Sequence, residues 1–113
     1  MSELKKEEIK VEGATVPFFT YKIGDTQYFE FDTSRCGPPE PMVNAMAGLK
    51  LIDSPNKKLV MINHKTPMGL LDKIGKNYNI EKEELPDGRV KLIFSYKEGE
   101  SEKANLDDPS CNG

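Results

Sequence analysis

Asp32-Thr33-Ser34-Arg35-Cys36-Gly37-Pro38-Pro39-Glu40-Pro41-Met42-Val43-Asn44-Ala45-Met46-Ala47-Gly48-Leu49-Lys50-Leu51 is the stretch whose reading decides the fold. A strand ends in it, a turn follows, and a helix begins. Pro38, Pro39 and Pro41 cannot donate to a β-ladder, and each holds φ near the helical value. Pro41 suits the first turn of a helix, where a missing N–H removes no hydrogen bond. Beyond it Met42, Met46 and Leu49 recur at i, i+4 and i+7, with Val43 and Ala45 widening the stripe. This spacing predicts an amphipathic helix of about three turns, with Gly48 at its expected end.

Upstream, V-P-F-F-T-Y-K-I (16–23) and Q-Y-F-E-F-D (27–32) are two aromatic and β-branched arms around Gly24-Asp25. That is a hairpin pattern. Phe29 and Phe31 share one face of the second arm, and Tyr28, Glu30 and Asp32 the other. Pro17 suits the start of an outer strand. Ile9 and Val11, before the Gly13 break, suggest a short edge strand. Downstream, Leu59-Val60-Met61-Ile62 is a continuous apolar run, as expected of a strand covered on both faces. Thr66 is the expected cap of a second helix with Pro67 at its first position. Leu70, Leu71, Ile74 and Tyr78 supply its apolar side, and Gly75 its stop. Residues 78–85 and 90–97 read as strands around the Pro86-Asp87-Gly88 turn.

The order is hairpin, helix, strand, helix, hairpin. A strand-helix-strand unit makes its two strands parallel and crosses over right-handed. The predicted fold is an α/β two-layer sandwich with both helices on one face of a mixed sheet. The domain is expected over residues 16–97. Residues 1–15 are expected to be a flexible or edge segment, and 98–113 a disordered acidic tail.

Composition narrows the function classes. The chain has 113 residues, 36% apolar and 31% charged, and a net charge of −3. Residues 98–113 hold five acids against one lysine, which leaves the rest of the chain at +1. A near-neutral body generates no field that would gather nucleic acid. No apolar run approaches the roughly 20 residues that cross a bilayer. The charged N-terminal residues lack the apolar centre of a signal peptide. A soluble, cytoplasmic protein is expected, with no membrane partner. Two cysteines, Cys36 and Cys111, and one histidine make a poor metal set, since a closed zinc site needs four such ligands. No metal and no cofactor are implied.

In a parallel pair both strands end at one edge, where open α/β sheets tend to bind ligands. The turn after the first strand and the turn after the second, Asn63 to Thr66, are therefore expected to be neighbours. Both helices start there, and helix starts favour anions. The predicted site is an anion-friendly ledge lined by Arg35, Cys36, Gly37, Asn63, His64 and Lys65.

Residues 28–97 resemble the TusA/SirA-like sulfur-carrier superfamily. The similarity rests on Asp32 at a strand end, Pro39-Glu40-Pro41 opening the Met42–Leu49 helix, Thr66-Pro67 opening a Leu-Leu helix, and the Gly88 hairpin. The resemblance implies a β-α-β-α-β-β sandwich, to which the arm at 16–23 is an addition. It also implies a Cys-Pro-x-Pro cysteine that carries sulfur. Matching Pro39-Glu40-Pro41 to Pro-x-Pro puts Pro38 in that cysteine's place, with Cys36 two residues earlier. In this the chain looks more like the Pro-Pro branch of the superfamily. Three readings follow. One is a non-catalytic binding module for a small anion or a protein partner. Another is a sulfur carrier or thiol relay through Cys36, whose thiol would be activated by Arg35 and the nearby helix start. The last is an accessory subunit of a larger complex.

Overall fold

The computed structural model describes residues 6–37 and 40–101. The elements run β1 (Glu7–Ile9), β2 (Phe18–Ile23), β3 (Thr26–Asp32), α1 (Glu40–Leu49), β4 (Lys57–Asn63), α2 (Met68–Ile74), β5 (Tyr78–Glu84) and β6 (Val90–Tyr96). They form one six-stranded mixed sheet in the order β1-β2-β3-β4-β6-β5. Only β3 and β4 are parallel, with Phe29 beside Leu59 and Phe31 beside Met61. The part from β3 to β6 has the β-α-β-α-β-β order expected from the sequence, and β1 and β2 extend its free edge.

Strand alternation decides which side chains enter the core. Phe18, Phe29, Phe31, Leu59, Met61, Leu92 and Phe94 face the helices and join Met42, Met46 and Leu49 of α1 and Leu70 and Ile74 of α2 in one cluster. Both helices therefore cover the same face. Phe18 and Phe31 stack at 4.8 Å between centroids. Among the described residues no helix covers the opposite face, yet Val60 there is 1% exposed. The face is closed by its own long side chains. Tyr21 stacks on Tyr28 at 5.3 Å, Tyr21 Oη donates to Glu30 Oε1 at 2.9 Å, and Lys6 Nζ reaches Glu30 Oε2 at 3.1 Å. Burial, then the Glu30 carboxylate, pushes the Tyr21 phenol well above its usual pKa.

The strand predictions hold within two residues at every end, and both helices form. Gly48 stands one residue before the end of α1, close to its expected place, and is buried there: a Cβ would come 2.7 Å from Leu59 Cδ1 and 3.0 Å from Phe18 Cε2. Its missing side chain lets the helix approach the sheet. Three local expectations change. Thr66 does not cap α2: Pro67 occupies the N-cap, no side chain bonds the first turn, and the helix begins at Met68. Tyr78 opens β5 rather than extending α2. Pro17 stands just outside β2, which is not an outer strand because β1 pairs with it.

The expected short edge strand before Gly13 is present as β1, and ordered contacts continue on both sides of residues 16–97. Ile9, Val11 and Ala14 pack against the core. Thr15 N and Val16 N donate to Asn44 Oδ1 of α1 at 2.7 and 3.3 Å, and Asn44 Nδ2 donates to Thr15 Oγ1 and Glu40 O, both at 2.8 Å. The segment before β2 is thereby strapped to α1. At the other end, Ser101 is buried. Its Oγ donates to Asn77 O at 2.6 Å and accepts from Lys97 N at 2.8 Å, and Asn77 Nδ2 donates to Glu100 O. Residues 98–101, which composition assigns to the tail, thus close a turn against the α2–β5 loop. The rest of the expected tail, Cys111 included, lies outside the described residues. So do Pro38 and Pro39. Among the described residues no helix is long and apolar enough to cross a membrane.

Candidate functional site

The carboxyl ends of β3 and β4 meet as the topology requires. Thr33 N donates to Ile62 O at 2.8 Å, and Thr33 Oγ1 donates to Asn63 Oδ1 at 3.1 Å. After Thr33 the chain turns, closed by Cys36 N to Thr33 O at 3.0 Å. Asp32 fixes the start of this turn, since its Oδ1 accepts from Ser34 N at 2.8 Å and Ser34 Oγ at 2.6 Å. Asp and Ser favour turns through such short side-chain bonds to the backbone.

The β5–β6 turn arrives at the same edge because β6 runs antiparallel to β4, pairing Val90 with Asn63. Gly88 N donates to Leu85 O at 3.0 Å, Pro86 follows Leu85, and Gly88 takes φ +93°. A proline at the second turn position and a glycine at the left-handed one are what such a loop needs. Asp87 Oδ1 accepts from Arg89 N at 3.1 Å and its Oδ2 from Arg89 Nε at 2.7 Å. Arg89 Nη1 crosses to Asp32 Oδ2 at 3.0 Å. One guanidinium therefore clamps two loops that are far apart in sequence. The backbone N–H of Arg89, with lesser help from its side chain, holds the Asp87 carboxyl below the usual carboxylate range against the opposing effect of desolvation.

Asp32, Ser34, Arg35, Asp87 and Arg89 line a cleft of about 680 Å3. It lies on the side of the edge away from the helices, because Asp32 belongs to the face opposite Phe29 and Phe31. Arg35 is exposed and makes no hydrogen bond or ion pair with another described residue.

Of the ledge expected from sequence, only Arg35 lines this cleft. Asn63 is 2% exposed, accepting from Thr33 and donating through Nδ2 to Lys65 O at 2.9 Å. It ties the two loops together, and its burial keeps it away from a ligand at the surface. Gly37 is exposed and its carbonyl accepts from Glu40 N at 3.0 Å. His64 and Lys65 are exposed on the adjoining bend. The positive end of α1 carries the chain's own carboxylate, Glu40, whose Oε1 accepts from Thr15 Oγ1 at 2.9 Å.

The surroundings of Cys36 differ from the activated thiol expected. Desolvation pushes the thiol pKa up, and Glu40, by its charge and as the acceptor of the thiol's hydrogen bond, and Asp32, by its charge, push the same way. Arg35 is adjacent in sequence, but desolvation first, and the Glu40 and Asp32 carboxylates after it, set the sign. Asp32, Ser34, Asp87 and Arg89 are the cleft residues absent from the expected ledge. The signal for Asp87 and Arg89 was the turn P-D-G-R at the start of a strand that must pair with β4.

The fold and the cleft together define a two-layer α/β sandwich with a charged cleft at the carboxyl edge of its parallel pair. Comparison with protein-family models, curated proteins and solved structures finds no match to the chain.

Proposed function

We propose that the chain is a small non-catalytic binding module, of the TusA/SirA-like type its motifs resemble, which holds a small anion or an anionic group of a protein partner. The cleft between Ser34-Arg35 and Asp87-Arg89 is the binding place. One observation carries this reading: an exposed Arg35 without a partner among the described residues shares a cleft with an Arg89 already held rigid by two carboxylates. A guanidinium offers a planar fork of donors suited to carboxylate or phosphate. Lys65, on the adjoining bend, adds positive charge at the same edge.

The test is a chemical-shift titration of the full chain with acetate, sulfate and phosphate at fixed ionic strength. Amides of residues 34–35 and 87–89 should move. Arg35→Gln with Lys65→Gln should abolish the response, and Cys36→Ser should leave it intact. Silence at both loops would end the proposal.

A sulfur relay through Cys36 is the second reading, favoured by a half-buried cysteine in the turn that leads into α1. The raised thiol pKa weighs against it. Incubation with a persulfide donor followed by intact mass separates the two: a gain of one sulfur on Cys36 supports the relay, and no gain removes it.

A further inference from the structure

We infer that the occupant of the cleft is an amino-carboxylate, an anionic group that brings its own ammonium, rather than a dianion such as phosphate. The inference rests on the binding-module reading and narrows it. Two carboxylates, Asp32 and Asp87, and two guanidinium groups, Arg35 and Arg89, line the cleft, so its formal charges cancel. The positive charge of Arg89 is already spoken for, with Nε on Asp87 and Nη1 on Asp32. Among the described residues that line the cleft, Arg35 is the cation left without a partner, enough for a single carboxylate. A dianion there would sit beside two carboxylates of its own sign.

The acceptor side is equally unequal. An ionised carboxylate has about four lone-pair sites. Asp32 uses three of them, on Ser34 N, Ser34 Oγ and Arg89 Nη1. Asp87 uses two, both on Arg89. The Asp87 side chain is also 54% exposed, so its remaining sites face solvent. A ligand whose carboxylate meets Arg35 and whose ammonium meets Asp87 satisfies both ends without breaking the Arg89 clamp. The span across the cleft then selects the distance between the two charges.

The test titrates the full chain with glycine, β-alanine and γ-aminobutyrate, with butyrate and phosphate as controls, at neutral pH and fixed ionic strength, reading amide shifts at 34–35 and 87–89. A blocked Lys-Glu dipeptide, binding in place of the free amino acids, would locate the same chemistry on a protein partner. At least one amino-carboxylate should bind about two- to fivefold tighter than butyrate, the range set by one exposed ion pair. Asp87→Asn keeps an acceptor for Arg89 N but removes the charge. It should erase that preference and strengthen phosphate. Butyrate or phosphate binding as well as every amino-carboxylate in the unsubstituted chain would overturn the inference while leaving anion binding in place. No response to any of these compounds would remove both.

Discussion

Asn44→Ala should be among the most damaging single substitutions in the domain, although Asn44 touches no ligand. The side chain is 0% exposed and makes four hydrogen bonds, to Thr15 N, Val16 N, Thr15 Oγ1 and Glu40 O. A typical net hydrogen bond contributes about 1 kcal/mol. The 3.3 Å bond from Val16 N is longer than the usual range and counts for less. Thr15 is exposed, so water can re-solvate part of what is lost. The cavity left by the amide adds to the loss. Together these give about 3 kcal/mol. For a domain of this size 1 kcal/mol shifts Tm by about 4–5 °C, so the melting point should fall by about 12–15 °C. Thermal denaturation followed by circular dichroism measures it. Thr15→Ala is the control: it removes only hydroxyl bonds at an exposed position and should cost about 1 kcal/mol or less. A fall of under about 4 °C for Asn44→Ala would refute the claim that this amide holds the segment before β2 to α1.

Gly48→Ala should destabilise by about 1–2 kcal/mol, because the overpacking against Leu59 and Phe18 outweighs the gain of about 1 kcal/mol in helix propensity; an unchanged urea midpoint would mean that Leu59 moves aside freely. Alkylation of Cys36 by iodoacetamide should be slow at pH 7, with its pH–rate midpoint above the ordinary thiol value of about 8.5. A raised pKa means less thiolate at neutral pH, so Glu40→Gln, which removes a negative charge and a hydrogen-bond acceptor, should speed the reaction at fixed pH. A faster reaction in the unsubstituted chain than in a model thiol would reverse this sign. Arg89→Ala breaks an exposed clamp and should cost about 1 kcal/mol or less, a difference that shrinks in high salt.

The fold was legible because one hairpin arm announces itself by alternation, β4 by its continuous apolar run, and each helix by its three-to-four spacing. Phe29 and Phe31, and Met42 and Met46, point where their period places them. What escaped depends on neighbours. A glycine in a helix reads as a stop, and only the nearness of Leu59 makes Gly48 a contact. Pro67 fits a first helical position by type, yet it stands one residue outside α2. At the site, Arg35 was legible from its place after β3. Asn63 was misread although the signal was present, since the alternation that buries Leu59 and Met61 also turns Asn63 inward. The Asp87-Arg89 half follows from the antiparallel course of β6, a step beyond the parallel pair.

The placement of β1 and β5 at the two flanks of the sheet limits how another chain can attach. β5 exposes Glu81, Lys82, Glu83 and Glu84 in succession, and β1 is three residues long with exposed Glu7 and Glu8. Short and charged margins discourage strand-to-strand addition. Backbone pairing with another chain is thereby disfavoured at both flanks of this sheet.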